Sequence, residues 1–270
     1  MIGQPKNPSH PATILGRSGA VLYVLFIGLP VFALLVQAAQ QSNFLIAVTG
    51  DTALTALRLS LFTSVISIGV VVLLGTPFAY LLARSESTWA RAVDSLVELP
   101  LILPPVVAGV AMLMAFGRNG LIGTGLESIG LTIPFTTTAV VLAQIFVASP
   151  FFIRSAKLGF QSVAKDFEDV AQTLGVSPTM TFFRITLPLA SPAMVTGLAL
   201  AWARALSEFG ATMMFAGNLT GETQTMPLAI MSAMETSLDN ALALSLILLA
   251  GSILILVLQG PFTRRRWQGR

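Results

Sequence analysis

The stretch EDVAQTLGVSPTMTFFRITLP, residues 168–188, is a polar interruption in a chain that otherwise consists mostly of apolar runs of membrane-crossing length. Its residues predict two short helices separated by a turn. Asp166 is expected to cap a first helix over residues 167–174, because its carboxylate can accept a backbone N–H bond. Gly175 follows at the position where a helix end takes a left-handed residue.

A second helix is predicted from Pro178 to Leu187. Ser177 can accept a backbone N–H bond at its start, and proline is preset for the first helical position. Apolar residues recur on one face of each helix, namely Val170, Ala171 and Leu174 in the first and Met180, Phe183 and Leu187 in the second. We therefore expect a compact helix pair at the membrane surface, within a loop over residues 162–187 that we call the polar segment.

The composition identifies an integral membrane protein. Hydrophobic residues make up 54% of the 270 residues and charged residues 10%, whereas a soluble domain carries about 25% charge. No long polar run is left for a soluble domain, so we expect an ATPase or a substrate-capturing domain to be on another chain. The lack of cysteine excludes disulfides and thiol chemistry, and the single histidine, His10, lies in a polar tail.

Six apolar runs are long enough to cross a hydrocarbon core of ~30 Å. The predicted spans cover residues 20–39, 55–84, 97–117, 131–157, 186–216 and 241–262, between a tail over residues 1–16 and a basic tail over residues 264–270. None of them alternates with the period of a barrel strand, so all are predicted as helices of one domain over residues 17–263. A cleavable signal peptide is the alternative for the first run, but its apolar core would be only about 7–15 residues long.

Prolines are expected to distort the third span. Pro100, Pro104 and Pro105 predict an irregular first turn, since their carbonyl partners must be satisfied by neighbouring groups.

Lysine and arginine predict the orientation. Of the 15 bases, twelve fall on the side of the two tails and the polar segment, and one, Arg118, falls on the other side. Arg58 and Arg204 lie within or at the edge of spans. The positive-inside rule therefore predicts that both termini and the polar segment are cytoplasmic.

Arg204 and Glu208 are predicted to lie midway along the fifth span, four residues apart on one helix face. A charge at the bilayer centre costs at least ~2.5 kcal/mol, so we expect the two to pair and to face the protein interior or a water-filled path. Two interpretations stay open: Arg204 contacts an anionic cargo with Glu208 holding it in place, or the ion pair only fixes helix packing.

The stretch after this pair is rich in glycine and in neutral hydrogen-bonding groups. These residues are Gly210, Gly217, Gly221, Asn218, Thr220, Thr223 and Thr225. Neutral donors can bind an oxyanion without a full countercharge, although an ordinary outer turn explains the same composition more simply.

The polar segment resembles the EAA-type loop of ABC-importer permeases. The matching residues are Glu168, Gly175, Ile185, Leu187 and Pro188. Asp169 and Val170 stand where that family usually has two alanines, and Ala171 follows them. An amphipathic hairpin resting on lipid headgroups is the alternative.

The resemblance implies that the segment docks in a groove of a separate ATP-hydrolysing subunit. Residues assigned to this coupling are Asp166, Glu168, Asp169, Ala171, Leu174, Gly175, Val176, Ser177, Arg184 and Pro188.

Three further blocks are similar to molybdate-importer permeases, with sulfate and thiosulfate permeases as close relatives. They are Glu208–Ala211, Phe215–Asn218 and Gln224–Ile230. The resemblance implies an all-α, MetI-like permease fold in a bacterial-type inner membrane, with lipid around it and a path lined by Arg204, Glu208, Gly210, Asn218 and Thr225.

The implied assembly is a homodimer with two ATPase subunits inside and a molybdate- or tungstate-binding protein outside. Transport would proceed by alternating access, without a cofactor, a metal or a nucleic acid. Two other classes of membrane protein match the sequence less well. A secondary transporter needs broken helices or midplane charges in matching halves, and only Arg204 and Glu208 qualify. A membrane enzyme needs a catalytic or metal-binding cluster, and no P-loop, HExxH or Ser/His/Asp set is present.

Overall fold

The computed structural model describes residues 11–40 and 44–264, and all regular secondary structure within them is helical. In chain order the helices are α1 (Pro11–Ala39), α2 (Phe44–Thr49), α3 (Asp51–Arg84), α4 (Thr88–Val97), α5 (Leu99–Ile102), α6 (Pro105–Phe116), α7 (Gly123–Ser128), α8 (Thr137–Gln161), α9 (Lys165–Thr173), α10 (Pro178–Thr181), α11 (Leu187–Leu206), α12 (Gly210–Ala216), α13 (Met226–Thr236) and α14 (Leu238–Arg264). A π-helical turn, Phe182–Thr186, joins α10 to α11. His10 and most of both predicted tails lie outside the described residues, and α1 begins within the predicted first tail.

Five continuous stretches are long and apolar enough to cross a membrane. They are Gly16–Ala39, Asp51–Arg84, Thr137–Gln161, Pro178–Leu206 and Leu238–Val257. A sixth candidate is the bent pair Thr88–Ile102 and Pro105–Phe116. The expected all-α membrane architecture is therefore confirmed, with one of its spans broken.

The break in the third predicted span, residues 97–117, is larger than the sequence suggested. The two halves are bent by 118°, so the expected irregular first turn is in fact a change of direction. Leu103 and Pro104 have extended backbones between the halves. Two consecutive prolines, Pro104 and Pro105, explain this, since proline removes a helical N–H and forces the preceding residue out of the α conformation.

The fifth predicted span, residues 186–216, is also wrong at both ends. Its helix starts at Pro178 and runs through the π turn, where the N–H of Leu187 bonds to the carbonyl of Phe182. The helix ends at Leu206, and α12 begins only at Gly210. The polar segment is thus continuous with a membrane helix at one end.

Helix α8 lies between α3 and α11 and forms the centre of the bundle. The α8–α11 crossing is close because glycines lie at the contact: a Cβ on Gly197 would overlap Ser155, and a Cβ on Gly159 would lie 2.9 Å from Ala193 Cβ. On the other side, Ser67 of α3 donates to Gln144 Oε1 of α8 at 3.0 Å. Small residues and buried hydroxyls therefore hold this bundle together, as is usual for membrane helices.

Helices α6 and α12 pack on each other at the end of the bundle opposite the polar segment. A Cβ on Gly109 would lie 2.7 Å from the carbonyl oxygen of Ala211, and one on Gly210 would lie 2.7 Å from Pro105 Cβ. The break before α6 and the break before α12 are therefore next to each other.

Replacing Gly197 by valine tests the central crossing. The added side chain would push α8 and α11 apart, and overpacking of this kind costs about 1–3 kcal/mol. We expect a lower thermal midpoint for the detergent-solubilised protein than for the control Gly69→Val, because a Cβ on Gly69 meets nothing within 4 Å. Equal midpoints for the two variants would contradict the packing argument.

Candidate coupling site and membrane path

The first helix of the polar segment starts earlier than predicted. Its N-cap is Ala164, which makes no side-chain cap bond, and α9 begins at Lys165. Asp166 is therefore in the first turn and not the cap. Its carboxylate, together with that of Glu168, still lies at the positive end of the helix dipole, where negative charge is favourable.

The turn between the two helices has the predicted chemistry. Gly175 has a φ of 82°, which a side chain would disfavour, and the N–H of Val176 bonds to the carbonyl of Ala171 at 3.0 Å. Ser177 Oγ then accepts the N–H of Met180 at 3.3 Å, and Pro178 is the first residue of α10. Both predictions for this turn are confirmed.

Glu168 is turned into the protein, with only 6% of the residue exposed. Arg84 Nη2 lies 2.6 Å from Glu168 Oε1, and the hydroxyl of Thr186 donates to the same oxygen at 2.8 Å. The hydroxyl of Tyr80 lies 3.5 Å from the second oxygen. These four residues, which we call the Glu168 clamp, join the end of α3, the first turn of α9 and the π turn before α11.

Two further contacts strengthen the clamp. Arg84 Nη1 and Nη2 donate to the carbonyl of Val163 at 3.3 and 3.4 Å, so the arginine also holds the short connection between α8 and α9. The ring of Tyr80 packs edge-on against Phe160 and Phe182, with centroids 5.4 and 5.0 Å apart. The polar segment therefore packs on an aromatic layer formed by Tyr80, Phe160 and Phe182.

The outer surface of the polar segment carries several large apolar residues among its charged ones. We expected Val170, Ala171 and Leu174 to share one face, but Ala171 is buried while Val170 and Leu174 are exposed, Leu174 to 78%. The large exposed apolar residues of this surface are Phe167, Val170, Leu174, Met180 and Phe183. We call them the apolar knob.

The ten residues assigned to coupling divide into three groups. Glu168 and Ala171 are buried, and Val176 and Pro188 are half-buried. The exposed members are Asp166, Asp169, Leu174, Gly175, Ser177 and Arg184. Arg84, Tyr80 and Thr186 were not identified from sequence as part of this site.

Arg204 and Glu208 form the expected ion pair, with Arg204 Nη2 2.6 Å from Glu208 Oε2. Their predicted position midway along a helix is wrong: Arg204 lies in the last turn of α11, and Glu208 lies in the break before α12. Glu208 Oε1 accepts the N–H of Ala211 at 2.8 Å, so the carboxylate also binds the start of α12. Its side chain is fully buried, whereas that of Arg204 is 26% exposed.

One other predicted path residue, Asn218, belongs to a hydroxyl and amide network. Asn218 Nδ2 donates to Ser232 Oγ at 2.9 Å, and Gln224 Nε2 lies 3.4 Å from the same oxygen. Gln224 and Ser232 line a cavity of about 690 Å³ whose wall also includes Thr52. Among the residues that the structure describes, no hydrogen bond or ion pair joins this network to Arg204 or Glu208.

Gly210 and Thr225 complete the predicted path. Gly210 begins α12 against Pro105, so it lies with the ion pair and not with the hydroxyl network. Thr225 is buried, and its Oγ1 has no hydrogen-bond partner within the described ranges.

Replacing Glu168 by lysine tests the clamp. A second cation beside Arg84 removes the buried pair, and breaking such a pair costs about 3 kcal/mol. We expect the backbone amides of residues 165–176 to exchange hydrogen at least tenfold faster than in the parent protein, with helices α3 and α8 unchanged. Glu168→Gln retains an acceptor for Thr186 and should cause a smaller increase. Unchanged exchange in the lysine variant would show that the clamp does not hold the segment.

Comparison with known proteins identifies relatives among membrane permeases of transport systems. Residues 75–268 match the family model described as the binding-protein-dependent transport system inner membrane component. The molybdenum transport system permease protein ModB of Mycobacterium tuberculosis is 43% identical over 257 residues, which is 94% of this chain and 97% of that protein. The sulfate transport system permease protein CysW of Synechococcus elongatus is 36% identical over 251 residues, which is 92% of this chain and 87% of that protein.

A solved structure shares the fold. It is a bacterial alginate ABC transporter in complex with an alginate pentasaccharide-bound periplasmic protein, and its matched chain has a TM-score of 0.74, 16% identity and 94% coverage of both chains. The fold of ABC-importer permeases, expected from the polar segment, is thereby confirmed. On the family match and the identity over almost its whole length, the chain belongs to the inner membrane components of binding-protein-dependent transport systems, the permeases of ABC transporters.

Proposed function

We propose that this chain is the membrane-spanning subunit of an ATP-driven importer for molybdate or tungstate, and that a separate chain hydrolyses the ATP. The observation that carries the proposal is the polar segment: a helix pair fixed to the bundle by the Glu168 clamp, with an apolar knob on its outer surface. A helix pair that is held firmly to the bundle and exposes apolar residues is suited to bind a partner protein and to transmit its movement to the membrane helices.

Orientation supports an ATPase as that partner. Twelve of the 15 bases fall on the side of the polar segment, so the positive-inside rule assigns this side to the cytoplasm, where ATP is available. Both termini would then be cytoplasmic, in a bacterial-type inner membrane. Phe167, Val170 and Leu174 lie outside the apolar spans and would otherwise be left in water.

Force on the polar segment can reach the membrane path through two helices. Helix α8 enters the segment at Gln161, and the stretch Pro178–Leu206 leaves it without interruption. That stretch carries Arg204 at its far end, next to Glu208. A tilt of these helices on ATP binding would move the ion pair, and two copies of the chain facing each other would alternate between inward and outward openings.

Within this path, Arg204 is the better contact for an anion. Its guanidinium is partly exposed, while Glu208 is buried and bonds to both Arg204 and the N–H of Ala211. The pair is close to neutral overall, so it would guide an anion without trapping it. The neutral donors around Asn218 and Gln224 would supply further hydrogen bonds toward the outer side.

The choice of cargo rests on similarity. The molybdenum permease is 43% identical over 94% of this chain, and the sulfate permease 36% identical over 92%. Sulfate is therefore the second candidate. Selection among these oxyanions would rest mainly with the external binding protein, of the kind that accompanies the alginate transporter.

A charge in the apolar knob tests the docking surface. We expect Leu174→Asp to bind the ATPase dimer at least about tenfold more weakly, a loss of about 1.4 kcal/mol, because a carboxylate would be buried in an apolar contact. Co-purification from membranes at matched expression measures this. The matched control is Leu121→Asp, which changes a residue that is 90% exposed and lies outside the polar segment. Equal recovery of the ATPase with both variants would contradict the docking surface.

Reconstituted vesicles test the cargo and the energy source together. The permease, its ATPase and its binding protein would be assembled, and ATP-dependent uptake followed with molybdate, tungstate and sulfate. We expect molybdate and tungstate to be taken up and sulfate to be a poor substrate. Uptake of sulfate alone would overturn the cargo but keep the architecture, whereas uptake driven by an ion gradient without ATP would overturn the importer.

A further inference from the structure

Helix α4, Thr88–Val97, has three distinct faces. One face packs into the bundle core through Ala90, Val93 and Val97. A second is polar and exposed, with Thr88, Arg91 and Ser95. The third is apolar and exposed, and it carries Trp89 and Leu96, seven residues apart, with Ala92 between them. Trp89 is 77% exposed and Leu96 is 62% exposed.

Two ion pairs fix which face is turned outward. Lys157 Nζ of α8 lies 2.6 Å from Asp94 Oδ2, and Arg154 Nη1 lies 3.8 Å from Glu98 Oε1 at the end of α4. Asp94 belongs to the packed side, so the helix cannot turn its apolar stripe inward without breaking this pair. Trp89 and Leu96 therefore need an apolar environment outside the chain.

Exposed apolar residues are also present on the elements before and after α4 in the chain. On α3, just before α4, Leu73, Leu74 and Leu81 are exposed. After α4, the apolar residue Ile102 at the end of α5 is also exposed. Because α3 is a membrane span, its exposed apolar face meets lipid, and α4 follows it after only three residues, Ser85, Glu86 and Ser87.

The direction of α4 differs from that of a membrane span. The stretch Thr88–Ile102 is bent by 118° from α6, so the two cannot both follow the membrane normal. A helix with one strongly polar and one apolar exposed face lies in the interface, and tryptophan is enriched at that depth.

We propose that α4 lies in the lipid headgroup–acyl boundary on the side of the polar segment, with Trp89 and Leu96 among the acyl chains and Arg91 at the headgroups. Arg91 donates to the carbonyl of Glu86 at 3.2 Å and to Thr88 Oγ1 at 3.1 Å, which holds its guanidinium on the polar face. The occupant of the stripe is lipid and not another protein, because α4 follows the membrane span α3 after three residues and its stripe carries a tryptophan, the residue enriched at membrane interfaces.

The placement has a consequence for coupling. Lys157 is four residues before Gln161, where α8 passes into the polar segment. Through its ion pair with Asp94, the interfacial helix sets the depth of this end of α8 in the bilayer. The position of the polar segment is thus fixed relative to the membrane surface as well as to the helix bundle.

Tryptophan fluorescence with brominated lipids tests the proposal. The chain has three tryptophans, Trp89, Trp202 and Trp267. Trp267→Phe and the double variant Trp89→Phe/Trp267→Phe would be reconstituted in vesicles of phosphatidylcholine and phosphatidylglycerol. The difference between their spectra is the emission of Trp89, and Trp202, which donates to Ser64 Oγ at 3.1 Å, stays in place in both.

We expect bromines on the acyl chains near the headgroup to reduce the Trp89 emission by about twofold, more than bromines near the bilayer centre do. The aqueous quencher acrylamide should have little effect on Trp89. Strong quenching by acrylamide with none by the brominated lipids would place the stripe in water and overturn the proposal. Resistance to both quenchers would mean that a protein covers Trp89, which also overturns it.

Discussion

A single buried carboxylate holds the polar segment to the membrane bundle. Glu168 is stable in its buried position only because Arg84 and Thr186 replace the water that its charge loses. Those partners come from the end of α3 and from the π turn, so the carboxylate links the polar segment to an element 84 residues away in the chain. The apolar knob, the turn at Gly175 and the start of α11 all keep their positions relative to the bundle through this link.

Much of the fold follows from local patterns that depend on few residues. Apolar runs without charges give the membrane helices, and the turn at Gly175 and Ser177 needs only its own caps. The predictions that are wrong concern helix boundaries, where several residues or contacts compete to decide where a helix starts or ends. Asp166 has a good capping side chain, yet Ala164 is the N-cap of α9, only two residues after the C-cap of α8 at Ser162. The composition of residues 207–209 does not exclude helix, and the break there depends on the packing of α12 against α6.

Only part of the site around Glu168 could be predicted from sequence, because its other members are distant in the chain. The resemblance to a permease loop drew attention to Glu168, but sequence spacing carries no information on which way a side chain turns. Arg84 lies 84 residues from Glu168, and Thr186 lies 18 residues away, so their meeting is a product of tertiary structure. Arg204 and Glu208 were easier to pair, since four residues separate them and an unpaired charge in the membrane is costly.

The helical stretch from Pro178 to Leu206 has the geometry of a lever arm. Its 29 residues correspond to a length of about 43 Å at 1.5 Å per residue. The Glu168 clamp holds this helix at Thr186, which is 18 residues and about 27 Å from Arg204. A rotation of about 5° around that point would displace Arg204 by about 2.4 Å, close to the length of a hydrogen bond. A rotation of a few degrees about Thr186 would therefore be large enough to change the 2.6 Å contact between Arg204 and Glu208.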